Sequence, residues 1–402
     1  MDCLLQCKCR LRFGLDRRQK TDMQLIRVPA ALLALACCLT TACRIGQQIR
    51  IPSDLSQIDR VVTTEIEKGS FPGAVILVGQ GERILYWKSF GCEVVEPYSE
   101  PMTRNTIFDL ASLTKVIATA TSIMILADRN DLRLTDYVGD YLPGFACAGK
   151  EEVEIRHLLT HTSGLPAYTS AAKLKDRYGS PCPEKLIDEV CAMQAQAEPG
   201  EQFCYSCLGY IVLAKIVEVV SGTSIDDFSR KNIFTPLGMK YSTYNPAGSW
   251  GENIAATEIT ENRLLRGTVH DPLARLMGGV AGNAGLFSNA YDLSIYCRMI
   301  LSHGVRKGVR FLSSEAVNVM TTIQSHGRAY GFDVASDYAW VKGSCAPAEA
   351  FCHTGYTGTS IVCEPVGKLY VIVLTNRVHP CDEGNTRQVR TEVADIVFQH
   401  CQ

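Results

Sequence analysis

A chain of 402 residues with 46% hydrophobic and 20% charged residues has the apolar material for a large core and is not a disordered chain. Lysine plus arginine number 40 against 42 aspartates and glutamates, a formal charge of −2, so no broad basic field draws it to nucleic acid. The 18 cysteines are scattered through a chain too long to depend on a disulfide scaffold; most are expected to be free, buried thiols.

The chain opens on a basic flank, Arg17, Arg18, Lys20 and Arg27, followed by an apolar run over 28–39 and then Thr40-Thr41-Ala42-Cys43. A basic flank, a short apolar core and a small residue before a cut are the marks of a secretory leader. The run is too short for a stable spanning helix. Ala42-Cys43 resembles the end of a bacterial lipoprotein leader, which implies a lipid on Cys43. Residues 1–43 are therefore expected to be a leader, with 1–22 outside any fold. The mature protein is expected to be exported and held on the membrane by its lipid, facing the periplasm or cell surface.

From residue 47 to Gly69, Leu55, Ile58, Val61, Val62 and Ile66 recur at helical spacing. Two apolar runs, 74–78 and 83–87, flank Gly79-Gln80-Gly81-Glu82 and read as a β-hairpin. A long apolar segment then runs from Ser112 to Leu126 with helical periodicity. Between Glu154 and about Thr235 the pattern stays helical, with segments 155–166, 183–196, 208–220 and 225–234 ended by Gly or Pro. A glycine-rich stretch from Gly278 leads to a helix at 289–302, with Asn289 as its cap. Short β-type runs follow at 329–334, 350–355, 360–364 and 370–375, the last two joined by Pro365-Val366-Gly367-Lys368, and 386–398 closes as a helix. Strands at both ends with helices between predict an α/β fold of the α+β type. Its antiparallel sheet is drawn from both chain ends, flanked by the terminal helices, with a mainly helical insertion. The expected division is 44–402 as one domain, its α/β part at about 44–105 and 286–402 and its helical part at about 106–285.

Three short patterns carry chemistry. Ser112-Leu113-Thr114-Lys115 opens a helix, so Ser112 and Lys115 share a face at i, i+3. A serine hydroxyl needs a base, and a lysine serves if burial lowers its pKa. The helix N-terminus offers free N–H groups to a developing oxyanion. Tyr205 precedes another helix, and a phenol beside a cationic amine can act as general base or acid. His353-Thr354-Gly355 ends a strand where glycine permits close backbone approach. Alone, each has a plainer reading: a helix cap with a solvated lysine, a buried tyrosine, a satisfied strand histidine. Their order and context together are specific. His157 and His161 stand at i, i+4 like zinc ligands, but lack the glutamate of the metalloprotease pattern, and a structural role is the expectation. No phosphate loop, metal site or cofactor motif is present.

On these motifs the chain resembles the serine β-lactamase-like family, the group of class C β-lactamases, D,D-peptidases and esterases. The resemblance spans roughly Leu55 to the C-terminus. Residues 158–166 are similar to a stretch typical of that family. Residues 269–271, 278–288 and 353–360 resemble a narrower branch, the type 4B penicillin-binding proteins and muropeptide amidases. The resemblance implies Ser112 as nucleophile, Lys115 as its proton acceptor and Tyr205 as the shuttle to the leaving group. It implies an oxyanion hole of the Ser112 and Tyr356 backbone N–H groups, and substrate contacts from Cys207, His353, Thr354, Gly355 and Tyr356. His353 stands where many relatives have lysine. Cys207 stands where relatives have Asn or Asp, and a thiol is a weak hydrogen-bond partner. The implied function is an exported serine hydrolase cleaving an amide or ester of a small molecule or peptidoglycan fragment through an acyl-enzyme, without a cofactor. The alternatives are a β-lactamase, a small-ester esterase, or a catalytically weak envelope protein that binds cell-wall peptides.

Overall fold

Strand β1, Gly73–Gln80, carries an unbroken apolar run from Ala74 to Val78 because both its faces are covered there. Ala74, Ile76 and Val78 enter one core, with Leu55, Ile58, Val62, Val389, Val393 and Val397. Val75 and Leu77 enter a second, with Val116, Ile117, Tyr296, Ile372 and Leu374. This period of two places the sheet between two helical layers. The computed structural model describes residues 53–246, 250 and 253–401; the predicted leader and Cys43 lie outside the described residues.

The main sheet adds β2 (Arg83–Val94) and β3 (Glu100–Pro101) on one side of β1. Strands β4 (Phe108–Asp109), β5 (Thr243–Tyr244) and β6 (Leu286–Ser288) form a separate small sheet in the order β4-β6-β5. Near the C-terminus β7 (Phe351–Thr354), β8 (Ser360–Glu364) and β9 (Leu369–Thr375) complete the six-stranded sheet in the order β7-β8-β9-β1-β2-β3. Every pairing in it is antiparallel, with Leu77 opposite Ile372 and Val362 opposite Val371. The sheet therefore closes the two ends of the fold against each other, as the run pattern predicts. Helix α1 (Gln57–Glu67) and the last helix, Arg387–His400, cover one face.

Four expectations are corrected. The helix expected over 47–69 is, among the described residues, a 3₁₀ turn at Ser53–Ser56 followed by helix α1 from Gln57 to Glu67; residues 47–52 lie outside them. The helix expected over 155–166 ends at Leu159, because His161 (φ 59°) and Gly164 (φ 74°) take left-handed conformations. Residues 329–334 are not a strand: only Asp333 bridges Cys352, and the segment instead folds around an ion pair of Arg328 with Asp333. The segment after Ser112 starts as a π-helical stretch, Lys115–Ala120, and continues as helix α2, Thr121–Asp128. Helix α3, Cys207–Ser221, is capped by Ser206, which accepts from the Gly209 N–H. Helix α4, Ala290–Leu301, is capped by Asn289 as expected, and the last helix is α5. Among the described residues every cysteine is a free thiol, with Cys182, Cys191, Cys297, Cys352 and Cys363 buried.

Candidate active site

Strand β4 delivers the serine. Its residues pair with β6, Phe108 opposite Ser288 and Asp109 opposite Phe287, and the Leu110 N–H donates to Leu286 O at 2.9 Å. Ala111 then turns at φ 46°, a left-handed conformation that costs a non-glycine residue about 1 kcal/mol or more. Asp109 holds that turn: its Oδ1 accepts the Ala111 N–H at 2.9 Å and its Oδ2 the His270 N–H at 2.6 Å. Sequence reasoning passed over Asp109; its place three residues before Ser112 was the available signal.

The turn puts Ser112 in the wall of a cavity of ≈ 490 Å³, lined also by Tyr205, Cys207, Tyr168, His270, Asp271, Glu258, Tyr356 and Asp382. Lys115 lies fully buried behind it. Its Nζ donates to Ser112 Oγ at 2.9 Å and to Asn283 O at 2.9 Å, so the i, i+3 contact is made. The expectation that burial lowers its pKa is overturned. Burial penalises the ammonium, but the charges that Cys207 and Tyr205 carry once ionised, and that of Asp271, favour it and hold its pKa above the ordinary value. Burial also raises the Tyr205 phenol, against the lowering pull of Lys115. The resting site at neutral pH is therefore a lysine ammonium beside a neutral phenol.

Tyr205 is aimed by its neighbours. Its ring is stacked between His161, 4.3 Å away, and Tyr338, 5.0 Å away, with Lys115 Nζ 5.2 Å from the ring centre. His161 Nδ1 accepts the Ser206 N–H at 2.9 Å, and His161 O accepts the Cys204 N–H at 2.9 Å. The irregular 160–166 segment is thus the brace of the 204–207 segment, which is why it is not helix. Burial and the charges of Arg328, Lys115 and His353 hold His161 well below its ordinary pKa. Its Nδ1 being an acceptor makes it a neutral Nε2–H tautomer. His157 is tied into the cap of the 155–159 helix through Glu154, a structural role. Among the described residues no group of three or more His, Cys, Asp or Glu is arranged to hold a metal.

The C-terminal strands supply the facing wall. Thr357 Oγ1 donates to Asp109 O at 2.7 Å and Thr359 Oγ1 to Leu110 O at 3.0 Å, so the loop after β7 is fastened to the turn carrying Ser112. Tyr356 lines the cavity and is exposed; its ring stacks on His270 at 5.8 Å. Among the described residues the Ser112 and Tyr356 N–H groups have no hydrogen-bond acceptor. His353, Thr354 and Gly355 do not line the cavity. His353 is 1% exposed, with its Nδ1 on Thr354 O at 2.9 Å. Burial, then the charges of Arg328 and Lys115, keep it neutral. Gly355 packs against Leu110 too closely for any side chain.

Cys207 lines the cavity as the first residue of α3. Burial raises its thiol above the ordinary value, against the pull of Lys115, so it is a neutral thiol. No lysine or arginine lines the cavity among the described residues, whereas Glu258, Asp271 and Asp382 do. Arg328 was not anticipated: fully buried, it pairs with Asp333 and lies 5.7 Å from the ring centre of Tyr205.

The family described as Beta-lactamase matches residues 58–394. The chain is 31% identical over 360 residues to an N-acetylmuramyl-L-alanine amidase of Bacillus subtilis (strain 168), covering 81% of each chain. It is 30% identical over 360 residues to an Escherichia coli (strain K12) protein whose name describes a D-alanyl-D-alanine carboxypeptidase, covering 81% of this chain and 82% of the other. Among solved structures it is similar to the octameric penicillin-binding protein homologue from Pyrococcus abyssi, with a TM-score of 0.67 and 26% identity over 85% of this chain and 77% of that one.

Proposed function

Because the chain belongs to the beta-lactamase family of serine hydrolases, we propose that it cleaves an amide of a peptidoglycan fragment through an acyl-enzyme on Ser112. The observation that carries this reading is Lys115 Nζ at 2.9 Å from Ser112 Oγ in the wall of an open cavity. The reaction starts from the form in which the Lys115–Tyr205 pair has lost one proton. That pair takes the Ser112 proton as Oγ attacks the carbonyl carbon. The oxyanion settles on the Ser112 and Tyr356 N–H groups, each such donor being worth about 3 kcal/mol in the transition state. Tyr205 returns the proton to the leaving nitrogen as the C–N bond breaks. Water then attacks the ester, and the same pair takes its proton and hands it to Ser112 Oγ.

The charge of the cavity supports one class of scissile bond over another. A peptide ending in D-alanine, like a penicillin, carries a carboxylate beside the bond to be cut, and such a group seeks a cation. Here Glu258, Asp271 and Asp382 line the cavity; the nearby cations are already engaged, Arg377 with Asp382 at 2.8 Å and Lys115 with Ser112 Oγ and Asn283 O, and the His353 position is neutral. The amidase type of bond, which has no carboxylate beside it, fits better than the carboxypeptidase or lactam type. Export and lipidation at Cys43 complete the proposal and would put the enzyme where such fragments arise.

The test is mass spectrometry and rate measurement with a muramyl-alanine amide, a peptide ending in D-Ala-D-Ala, a penicillin and a chromogenic ester. The expected result is turnover of the muramyl amide and the ester, with an adduct on Ser112 that Ser112→Ala lacks. Faster cleavage of the D-Ala-D-Ala peptide than of the amide would overturn the choice of bond. Equal turnover by wild type and Ser112→Ala would overturn the site.

A further inference from the structure

The peptide unit joining Gly355 to Tyr356 is trans, so its C=O and N–H point in opposite directions. Whatever holds the Gly355 carbonyl therefore also aims the Tyr356 N–H. Two groups hold it: the Gly358 N–H, which donates to it across the turn at 3.1 Å, and the charged Arg390 of α5. Arg390 Nη2 donates to Gly355 O at 2.9 Å and to Thr359 O at 2.8 Å. The two carbonyls bracket the loop whose threonines fasten the Ser112 turn.

Arg390 is an expensive way to brace a loop. It is 6% exposed, and among the described residues no carboxylate pairs with it; its Nε has no partner. Trp340 supplies a ring face 5.9 Å from the guanidinium. Burial, then the charge of Arg377, pull its pKa down to about 9, so it stays a cation at neutral pH. A buried cation without a counter-ion destabilises the fold, whereas a neutral donor would satisfy the same carbonyls. Its charge has an effect that a neutral donor lacks: it polarises the peptide it holds and makes the opposite N–H a stronger donor. The next peptide is treated alike, since Arg377 Nε donates to Tyr356 O at 2.7 Å.

We propose that Arg390 is a positioning residue for the oxyanion hole: by binding the Gly355 carbonyl it fixes the direction of the Tyr356 N–H and strengthens it as a donor to the developing oxyanion. This rests on the reading of Ser112 as nucleophile and of the Tyr356 amide as an oxyanion donor. Arg390 itself does not touch substrate.

The test compares an oxygen ester with the thionoester of the same acyl group in wild type, Arg390→Lys and Arg390→Met. Sulfur accepts hydrogen bonds weakly, so the thionoester gains little from the hole. Loss of folded enzyme lowers both rates by one factor; a weakened hole lowers only the oxygen-ester rate. In Arg390→Met the oxygen-ester kcat should fall about 10- to 100-fold, below the loss on deleting a donor outright, with KM little changed and the thionoester rate nearly kept. Arg390→Lys, a cation without the guanidinium fork, should recover part of the ratio. If Arg390→Met does not fold, the ratio in Arg390→Lys decides alone. Equal loss on both esters, or no loss on either, overturns the assignment. Failure of wild type to turn over either ester, or full activity in Ser112→Ala, removes the reading beneath it, and the assignment with it.

Discussion

Replacing Gly355 by alanine tests how rigidly the C-terminal loop holds the nucleophile. Gly355 does not have a left-handed φ, so alanine meets no backbone penalty there and the effect is one of space alone. The added Cβ would lie 2.1 Å from Thr359 Oγ1 and 2.4 Å from Leu110 O. Opening both contacts even to 3.0 Å needs movements of about 0.9 and 0.6 Å. Thr359 Oγ1 cannot turn away freely, since it donates to that same Leu110 carbonyl at 3.0 Å. Losing that bond costs about 1 kcal/mol, and the overpacking about 1–3 kcal/mol, so Gly355→Ala should lose about 2–4 kcal/mol of stability. Leu110 is two residues from Ser112, and a displacement near 1 Å at the reacting group can slow the chemistry about 10²-fold. Urea unfolding and ester kcat measure the two effects. The double variant Gly355→Ala/Thr359→Ala removes one of the clashing atoms and should be more stable than the sum of the single losses predicts. Wild-type stability and kcat in Gly355→Ala would refute the clamp. A stability loss without a kcat loss would show that the strain is relieved away from Ser112.

The raised pKa values of Lys115 and Tyr205 make the productive form, one proton short, the minor one at neutral pH. The ester kcat/KM should therefore still be rising above about pH 8, and a plateau reached below about pH 7 would place a neutral lysine in the resting enzyme. Both groups hold their protons more tightly when folded, so the stability they contribute is present at neutral pH and lost as pH climbs into the alkaline range; unfolding midpoints against pH read this directly. Arg328→Met should cost about 3–5 kcal/mol by stranding Asp333, whereas Arg328→Met/Asp333→Leu should cost much less, as thermal melts will show. Iodoacetamide near neutral pH should modify exposed Cys147 well before Cys207, whose thiol burial keeps protonated; peptide mapping that finds Cys207 labelled first would contradict the neutral thiol. A palmitate analogue should label wild type and not Cys43→Ser in a bacterial host, and equal labelling of both would end the lipoprotein proposal.

What the sequence disclosed follows from where its signals are local. The β1–β2 hairpin, the Asn289 cap and the β8–β9 hairpin each rest on neighbouring residues, and each was legible. So was the Ser112–Lys115 contact, because i, i+3 spacing fixes it. What was missed depends on partners far along the chain. The segment after Leu159 reads as helix until His161 is seen bracing Ser206, 45 residues on. Residues 329–334 read as strand because the Arg328–Asp333 pair has no pattern of its own. The direction of the Lys115 shift could not be read from burial alone. It depends on three groups, at 205, 207 and 271, that only the fold assembles.

On the proposed mechanism, the closure of the sheet by β9 against β1 fixes the time at which the chemistry can begin. A ribosome makes Asp109 long before it makes the Thr357 hydroxyl that holds it, 248 residues later, and Arg390 later still. A nascent chain therefore carries its serine and lysine without the wall that would put them to use. The same holds for a fragment clipped ahead of β7: it retains Ser112 and Lys115 and loses the Tyr356 amide. On the proposed mechanism, the part of the chain made after β7 is also its safety catch.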